Sequence, residues 1–181
     1  MGPYLVACTL LMVAGVAKAL RPADTARAVS AVIPVRLAVA APLVRIGAAT
    51  EGVLGTVGLL HPSAWAASAV AASYLLFAGF VVVVLTRGGP LASCGCFGTP
   101  DTPATRLHVV VDLVLAAAAL VVAVRVPAGW LPALLAAQPW HGVPLVMASV
   151  LGAWVAALAM TRLAVLGAVR RQVGITRGAV R

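Results

Sequence analysis

Five blocks of apolar residues divide this chain, and their length constrains the fold more than any other feature of the sequence. A helix of about 17 to 25 apolar residues is long enough to cross the ~30 Å hydrocarbon core of a bilayer, because each residue adds about 1.5 Å. The blocks cover residues 3–20, 37–60, 65–86, 107–126 and 143–166. The sequence therefore predicts an all-α fold, a polytopic transmembrane helical bundle of five spans within residues 1–166, followed by a basic tail at 167–181.

Composition leads to the same class of protein. Hydrophobic residues make up 63% of the 181 residues, charged residues make up only 9%, and the mean hydropathy is +1.10. A soluble domain of this size cannot bury so large an apolar fraction in its core, whereas a bilayer accepts it on the outer surface of the helices. The lipid bilayer is therefore the first predicted partner.

The basic residues indicate how the helices are oriented. Lys and Arg number 13 against 4 acidic residues, a formal charge of +9 that would suggest a nucleic-acid partner in a soluble protein. Here most arginines lie beside the apolar blocks, in residues 21–36, in residues 87–106 and in the tail. We therefore predict no nucleic-acid partner, and the positive-inside rule places the N-terminus outside the plasma (cell) membrane and the C-terminus in the cytoplasm. Four aromatic residues then fall at the outer interface: Tyr4, Trp65, Trp130 and Trp140.

The connectors between the blocks have turn-like or interfacial sequences. The polar residues 21–36 predict a short interfacial helix, and His61-Pro62-Ser63 predicts a tight turn that makes an antiparallel hairpin of the second and third spans. Residues 127–142 contain tryptophans and prolines, which favours a segment at the level of the headgroups. The Gly/Pro/Thr-rich loop 88–106 carries two of the 3 cysteines.

Ionisable residues inside a span cost about 2.5–3.5 kcal/mol each on insertion scales, so they usually face other helices or a functional site. Lys18 lies one turn from the inner end of the first span, and we expect it to extend to the interface. Arg45 lies about 12 Å inward on the second span and Asp112 about 8 Å inward on the fourth. These similar depths predict an ion pair between Arg45 and Asp112.

Glu51 lies deeper, about 21 Å along the second span. It follows Arg45 by six positions, which places the two side chains on different faces of the helix and disfavours a local ion pair. Two interpretations remain open for this residue. Glu51 is either a protonated carboxylic acid that is hydrogen-bonded inside the bundle, or a carboxylate that handles protons or contacts a substrate.

The most specific local motif is Ser93-Cys94-Gly95-Cys96-Phe97-Gly98. The glycine gives the backbone the freedom to bring Cys94 and Cys96 together, but only in a tight, strained ring, and strained disulfides exchange readily. Two alternatives to redox exchange are inert thiols in an architectural turn and a metal-binding turn. Because His108 is the one other ligand nearby in sequence and structural zinc requires four ligands, we predict no metal site.

This motif, together with Arg87-Gly88-Gly89 before it, resembles the signature of the MauE family of methylamine-utilisation membrane proteins, which are related to the DoxX-like proteins. The resemblance covers residues 4–126, the first four spans. Three further residues match positions that the family favours: Gly15, Lys18 and Glu51. Arg87, like Lys18, is assigned a structural or ion-pairing role.

The resemblance implies a role in maturing the small subunit of methylamine dehydrogenase, whose disulfides form outside the cytoplasm, with a thioredoxin-like MauD protein as partner. Family members are widespread where methylamine use is doubtful. The resemblance therefore implies a general membrane thiol–disulfide role toward an exported client more directly than it implies that particular substrate. The leading hypothesis has Cys94 and Cys96 as the exchanging pair, while Glu51 handles protons or contacts a quinone-like acceptor. The alternative is a non-enzymatic membrane scaffold or transporter-like subunit, in which the Cys-Gly-Cys turn is architectural.

The predicted orientation conflicts with oxidative maturation. It places Cys94 and Cys96 on the inner face, where the cytosol keeps thiols reduced, whereas exported clients are oxidised outside. Three resolutions are open. The loop dips into the membrane beside Glu51, the pair relays electrons across the membrane from inside, or the orientation is the opposite one.

Overall fold

The computed structural model describes residues 1–86, 104–125 and 129–163, and within these ranges every regular element is helical. In these three ranges, seven α-helices follow one another, with a 3-10 turn before the last and a π-helical turn after it. Their bounds are α1 Gly2–Leu20, α2 Pro22–Val32, α3 Leu37–Leu60, α4 Ala64–Thr86, α5 Arg106–Arg125, α6 Leu131–Ala136, the 3-10 turn Pro139–Gly142, α7 Val143–Leu158 and the π-helical turn Ala159–Leu163.

Among the described residues, five helical stretches are long and apolar enough to cross a membrane, and they coincide with the five predicted spans to within a few residues. They are Gly2–Leu20, Leu37–Leu60, Ala64–Thr86, Arg106–Arg125 and Pro139–Arg162. The prediction of an all-α polytopic bundle is therefore confirmed. The predicted tail at 167–181 lies outside the described residues.

The predicted short helix and the predicted tight turn are both present in the connectors that the structure describes. The short helix predicted within residues 21–36 is α2, which starts with Pro22 at its first position, where a missing N–H costs nothing. Between α3 and α4 the turn is closed by the Ala66 N–H, which donates to Ser63 Oγ at 3.4 Å. The Gly129 N–H donates to the Pro62 carbonyl at 3.1 Å, so the chain that follows α5 lies against this turn.

Helix α1 occupies the centre of the bundle, packing on α3, α5 and α7, while α4 and α5 form the other extensive helix pair. Two tyrosine hydroxyls join these helices through backbone carbonyls. Tyr74 on α4 donates to the Ala7 carbonyl at 2.7 Å, and Tyr4 on α1 donates to the Gly58 carbonyl at 3.2 Å. The start of α1 thus lies beside the end of α3, so these two helices are antiparallel.

Tyr4 corrects one expectation from the sequence. Trp65, Trp130 and Trp140 are exposed, as residues at a membrane interface should be, but Tyr4 is completely buried. Its ring packs inside the helix bundle with the buried Cys8, and its hydroxyl is satisfied by α3 rather than by headgroups. Composition identifies an amphipathic aromatic near a helix end, but it does not identify the direction in which the ring points.

Glycines set the distance between α1 and α3. A Cβ atom added to Gly15 would lie 2.5 Å from the Gly52 backbone nitrogen, and one added to Gly55 would lie 2.6 Å from the Met12 nitrogen. Real Cβ atoms do not come so close to backbone, so the two helices touch along their main chains. Small residues permit this approach in membranes, where close van der Waals packing drives helix association.

Candidate functional site

The close approach of α1 and α3 brings together the single lysine and the single glutamate of the sequence. The Lys18 ammonium contacts Glu51 Oε2, and only 7% of the lysine side chain and 19% of the glutamate side chain are exposed. Glu51 Oε2 is buried and accepts no further hydrogen bond from the described residues. The two charges therefore form an ion pair inside the bundle.

This contact replaces the interfacial position that the sequence predicts for Lys18. Each Cα–Cβ bond of an α-helix tilts toward the N-terminus, so long side chains lie back over the preceding turn. Lys18 is near the C-terminal end of α1, and its side chain therefore points into the membrane rather than out of it. Because α3 runs antiparallel to α1, Glu51 lies where that side chain ends.

An aromatic pair on α4 covers the lysine from the other side. The Lys18 Nζ atom lies 4.4 Å from the centroid of the Phe77 ring, within the range of a cation–π interaction. Tyr74 meets Phe77 edge to face, with ring centroids 6.0 Å apart and an interplanar angle of 89°. The ammonium is thus held between a carboxylate and the face of an aromatic ring.

Lys18 also lines a cavity of about 40 Å³ between α1, α4, α5 and the π-helical turn. Its polar lining comes from Lys18, Tyr74, His108 and Asp112, and its apolar lining from Leu10, Leu11, Ala14, Phe77, Leu115 and Met160. His108 is 1% exposed and Asp112 is 5% exposed. These two residues are one turn apart on α5, so they share the face that looks into the cavity.

His108 lies in the first turn of α5, near the segment that carries the cysteines in the sequence. Its Nδ1 atom lies 2.9 Å from Thr105 Oγ1, which fixes the orientation of the ring. From the sequence alone, His108 is predicted only as a possible metal ligand. The signal that would have identified its position is the His108–Asp112 spacing of four residues, which places two ionisable groups on one face of an otherwise apolar helix.

Arg45 and Asp112 are not brought together by the structure. The Arg45 side chain is exposed on α3, whereas Asp112 is buried on α5. Helix α3 packs on α1, α2 and α4, whereas α5 packs on α4 and α1, and the ion pairs seen among the described residues do not include one between Arg45 and Asp112. Equal depth in the membrane does not decide which helices are neighbours.

The remaining predicted site residues are Arg87, Cys94 and Cys96, and all three lie outside the described residues. Residues 87–103 join the end of α4 to the start of α5 in the sequence. In the part of the chain that the structure describes, no group of three His, Cys, Asp or Glu side chains is close enough to hold a metal ion. Cys8, the described cysteine, is buried against Gly58.

These features define an integral membrane protein, a bundle of membrane-length helices whose buried ionisable residues face its interior. The family model described as "Methylamine utilisation protein MauE" matches residues 2–125 of the 181, well over half of the chain. The chain belongs to the MauE family. Neither a curated protein nor a solved structure matches it.

Proposed function

We propose that this MauE-family protein supports thiol–disulfide maturation of a partner protein, with Cys94 and Cys96 as the exchanging pair. The observation that carries the proposal is the buried Lys18–Glu51 pair. A buried ion pair contributes little net stability, and ionisable residues within membrane spans typically mark proton or ion chemistry. The family match, residues 2–125, includes both this pair and the two cysteines.

Thiol–disulfide exchange gives a buried carboxylate a task, because the reaction moves protons as well as electrons. A client dithiol that becomes a disulfide gives up two electrons and two protons, and a Cys94–Cys96 disulfide that takes the electrons becomes a dithiol. Reoxidation of Cys94 and Cys96 then passes two electrons and two protons to an acceptor of the quinone class. In this scheme Glu51 accepts and returns the protons, and the contact with Lys18 positions the Glu51 carboxylate.

The proposed partners rest on membership of the MauE family. We propose a thioredoxin-like protein of the MauD type as the immediate exchange partner and an exported, disulfide-containing client as its target. The small subunit of methylamine dehydrogenase is the client that we propose from the resemblance to the family. The protein would act in the plasma membrane, with its N-terminus outside and its C-terminus in the cytoplasm.

Alkylation of thiols in intact membranes tests the proposal. In wild-type protein we expect Cys94 and Cys96 to be oxidised in part and to become alkylated after reduction, whereas single Cys94→Ser and Cys96→Ser variants should trap mixed disulfides with the partner. The double variant should stop disulfide formation in a co-expressed methylamine dehydrogenase small subunit. Cys8→Ser is the matched control, because Cys8 is buried in the helix core.

Two outcomes would overturn the redox role. Permanently reduced Cys94 and Cys96, or normal client maturation in the double variant, would instead support an architectural turn in a scaffold protein. The same experiment with a membrane-impermeant maleimide reports the side of the membrane on which the cysteines react. That result decides among the three resolutions of the orientation conflict.

A further inference from the structure

The cavity beside Lys18 has a size that selects its ligand. At about 40 Å³ it exceeds the roughly 10–15 Å³ that one water molecule requires, so it has room for about three. It is far smaller than the roughly 150 Å³ cavity that accommodates a benzene ring in another protein. A quinone ring therefore does not fit here, and water does.

The polar lining meets the other requirement for water, which is two to four hydrogen-bonding partners. The Lys18 ammonium carries three N–H donors, and the Asp112 carboxyl group accepts hydrogen bonds. Tyr74 uses its proton on the Ala7 carbonyl, which leaves its oxygen lone pairs as acceptors. Apart from His108, the other lining residues that the structure describes are aliphatic or aromatic, so electrostatic interactions among these groups are weakly screened.

We propose that this cavity is a water-binding compartment of the Lys18–Glu51 site, and that Asp112 and His108 exchange protons with the ion pair through the water it holds. Lys18 is the shared member, because it contacts Glu51 and also lines the cavity. A proton released at His108 or Asp112 passes to the cavity water, and the Lys18 ammonium donates one of its protons to Glu51 while it takes one from that water, so the number of bound protons is unchanged. His108, in the first turn of α5, would be the entry point. The inference rests on the proposed function only for the source of the protons.

The sequence makes this testable by solid-state NMR, since Lys18 is its only lysine and Glu51 its only glutamate. Full-length protein with ¹⁵N-lysine and ¹³C-glutamate in phosphatidylcholine vesicles gives one Nζ resonance and one carboxyl resonance. In water-edited spectra of the wild type, we expect magnetisation to pass from water to the Lys18 Nζ atom. Absence of that transfer would mean a dry cavity and would overturn the proposal without any variant.

Asp112→Asn then tests the coupling between the cavity and the Lys18–Glu51 ion pair. We expect this variant to shift both the Lys18 and the Glu51 resonances and to weaken the water-edited transfer. Asp24→Asn is the matched control, because Asp24 pairs with Arg27 on α2 and does not line the cavity, and it should leave both resonances unchanged. Identical spectra for wild type and Asp112→Asn would contradict the inference.

His108→Gln provides a second variant in case Asp112→Asn does not fold, and it should weaken the same water transfer. None of these spectra depends on Cys94 or Cys96. Normal client maturation in the double cysteine variant would therefore refute the proposed function and leave the cavity proposal standing. Missing water transfer would refute the cavity proposal alone.

Discussion

Lys18→Met is expected to destabilise the bundle by several kcal/mol. Removal of one partner from a buried ion pair costs about 3–5 kcal/mol, because the other charge is left uncompensated. Typical interhelical hydrogen bonds in membranes contribute only about 0.6 kcal/mol. We expect the larger figure to apply, since Glu51 Oε2 is buried and has no hydrogen-bond donor among the described residues to replace the ammonium.

Glu51→Gln should cost less than Lys18→Met, because the stranded ammonium keeps its contact with the Phe77 ring. A desolvated cation–π interaction is worth about 2 kcal/mol. The double variant Lys18→Met/Glu51→Leu should recover most of the lost stability, since apolar side chains of similar volume often replace a buried pair without loss. The free energies of unfolding of the wild type, Lys18→Met, Glu51→Leu and this double variant, measured by equilibrium denaturation in mixed micelles, give the coupling between the two residues.

Asp24→Asn is the matched control for this cycle. It breaks the Asp24–Arg27 pair on α2, in which 65% of the arginine side chain is exposed, and should cost less than about 1 kcal/mol. If Lys18→Met were as stable as Asp24→Asn, the pair would not be buried as described. A double variant whose cost equals the sum of the two single variants would show that the two residues do not interact.

Gly15→Ala is the second substitution with a large expected effect. The added Cβ would lie 2.5 Å from the Gly52 nitrogen and 2.7 Å from the Ala48 oxygen, and both neighbours are backbone atoms that cannot move aside. Helices α1 and α3 would have to separate, which should cost about 1–3 kcal/mol as overpacking does. The separation should also weaken the Lys18–Glu51 contact. Unfolding equilibria and the Lys18 Nζ resonance measure the two effects.

The matched controls for Gly15→Ala lie on α3. A Cβ on Gly52 would find its nearest neighbour at 3.8 Å, an ordinary contact, although Gly52 lies in the same interface. A Cβ on Gly47 would find nothing within 4 Å. Gly52→Ala and Gly47→Ala should therefore leave stability unchanged or slightly raised, given the greater helix propensity of alanine. Equal losses for Gly15→Ala and Gly52→Ala would contradict the described packing of α1 on α3.

The sequence predicted the helices well because length and hydropathy determine whether a segment spans a bilayer. All five spans and the short helix α2 are found where the apolar blocks and the polar connector indicate. Hydropathy also gives the depth of each charged residue along its helix. It does not give the direction of a side chain around the helix axis, or the identity of the neighbouring helix.

The errors at the candidate site follow from that limit. Depth alone suggested that Arg45 and Asp112 meet, but Arg45 is exposed on α3 and Asp112 is buried on α5. Proximity to a helix end suggested that Lys18 reaches the interface, but the tilt of its Cα–Cβ bond turns it toward Glu51. Two features of the sequence could have indicated the Lys18–Glu51 pair. These residues are the single lysine and the single glutamate of the chain, and Gly15 and Gly52 beside them allow the two helices to approach closely.

The link between the ion pair and the cysteines is tested most directly by the rate at which Cys94 and Cys96 reoxidise in membranes. In a Cys8→Ser background only these two thiols remain, so a maleimide-polyethylene-glycol band shift after removal of reductant reports the pair alone. Loss of a general acid–base group typically costs about 10²-fold or more in rate. We expect Glu51→Gln to slow reoxidation by about that factor, and Asp24→Asn to leave it unchanged. Equal rates for Glu51→Gln and the parent protein would show that the buried pair takes no part in the redox chemistry.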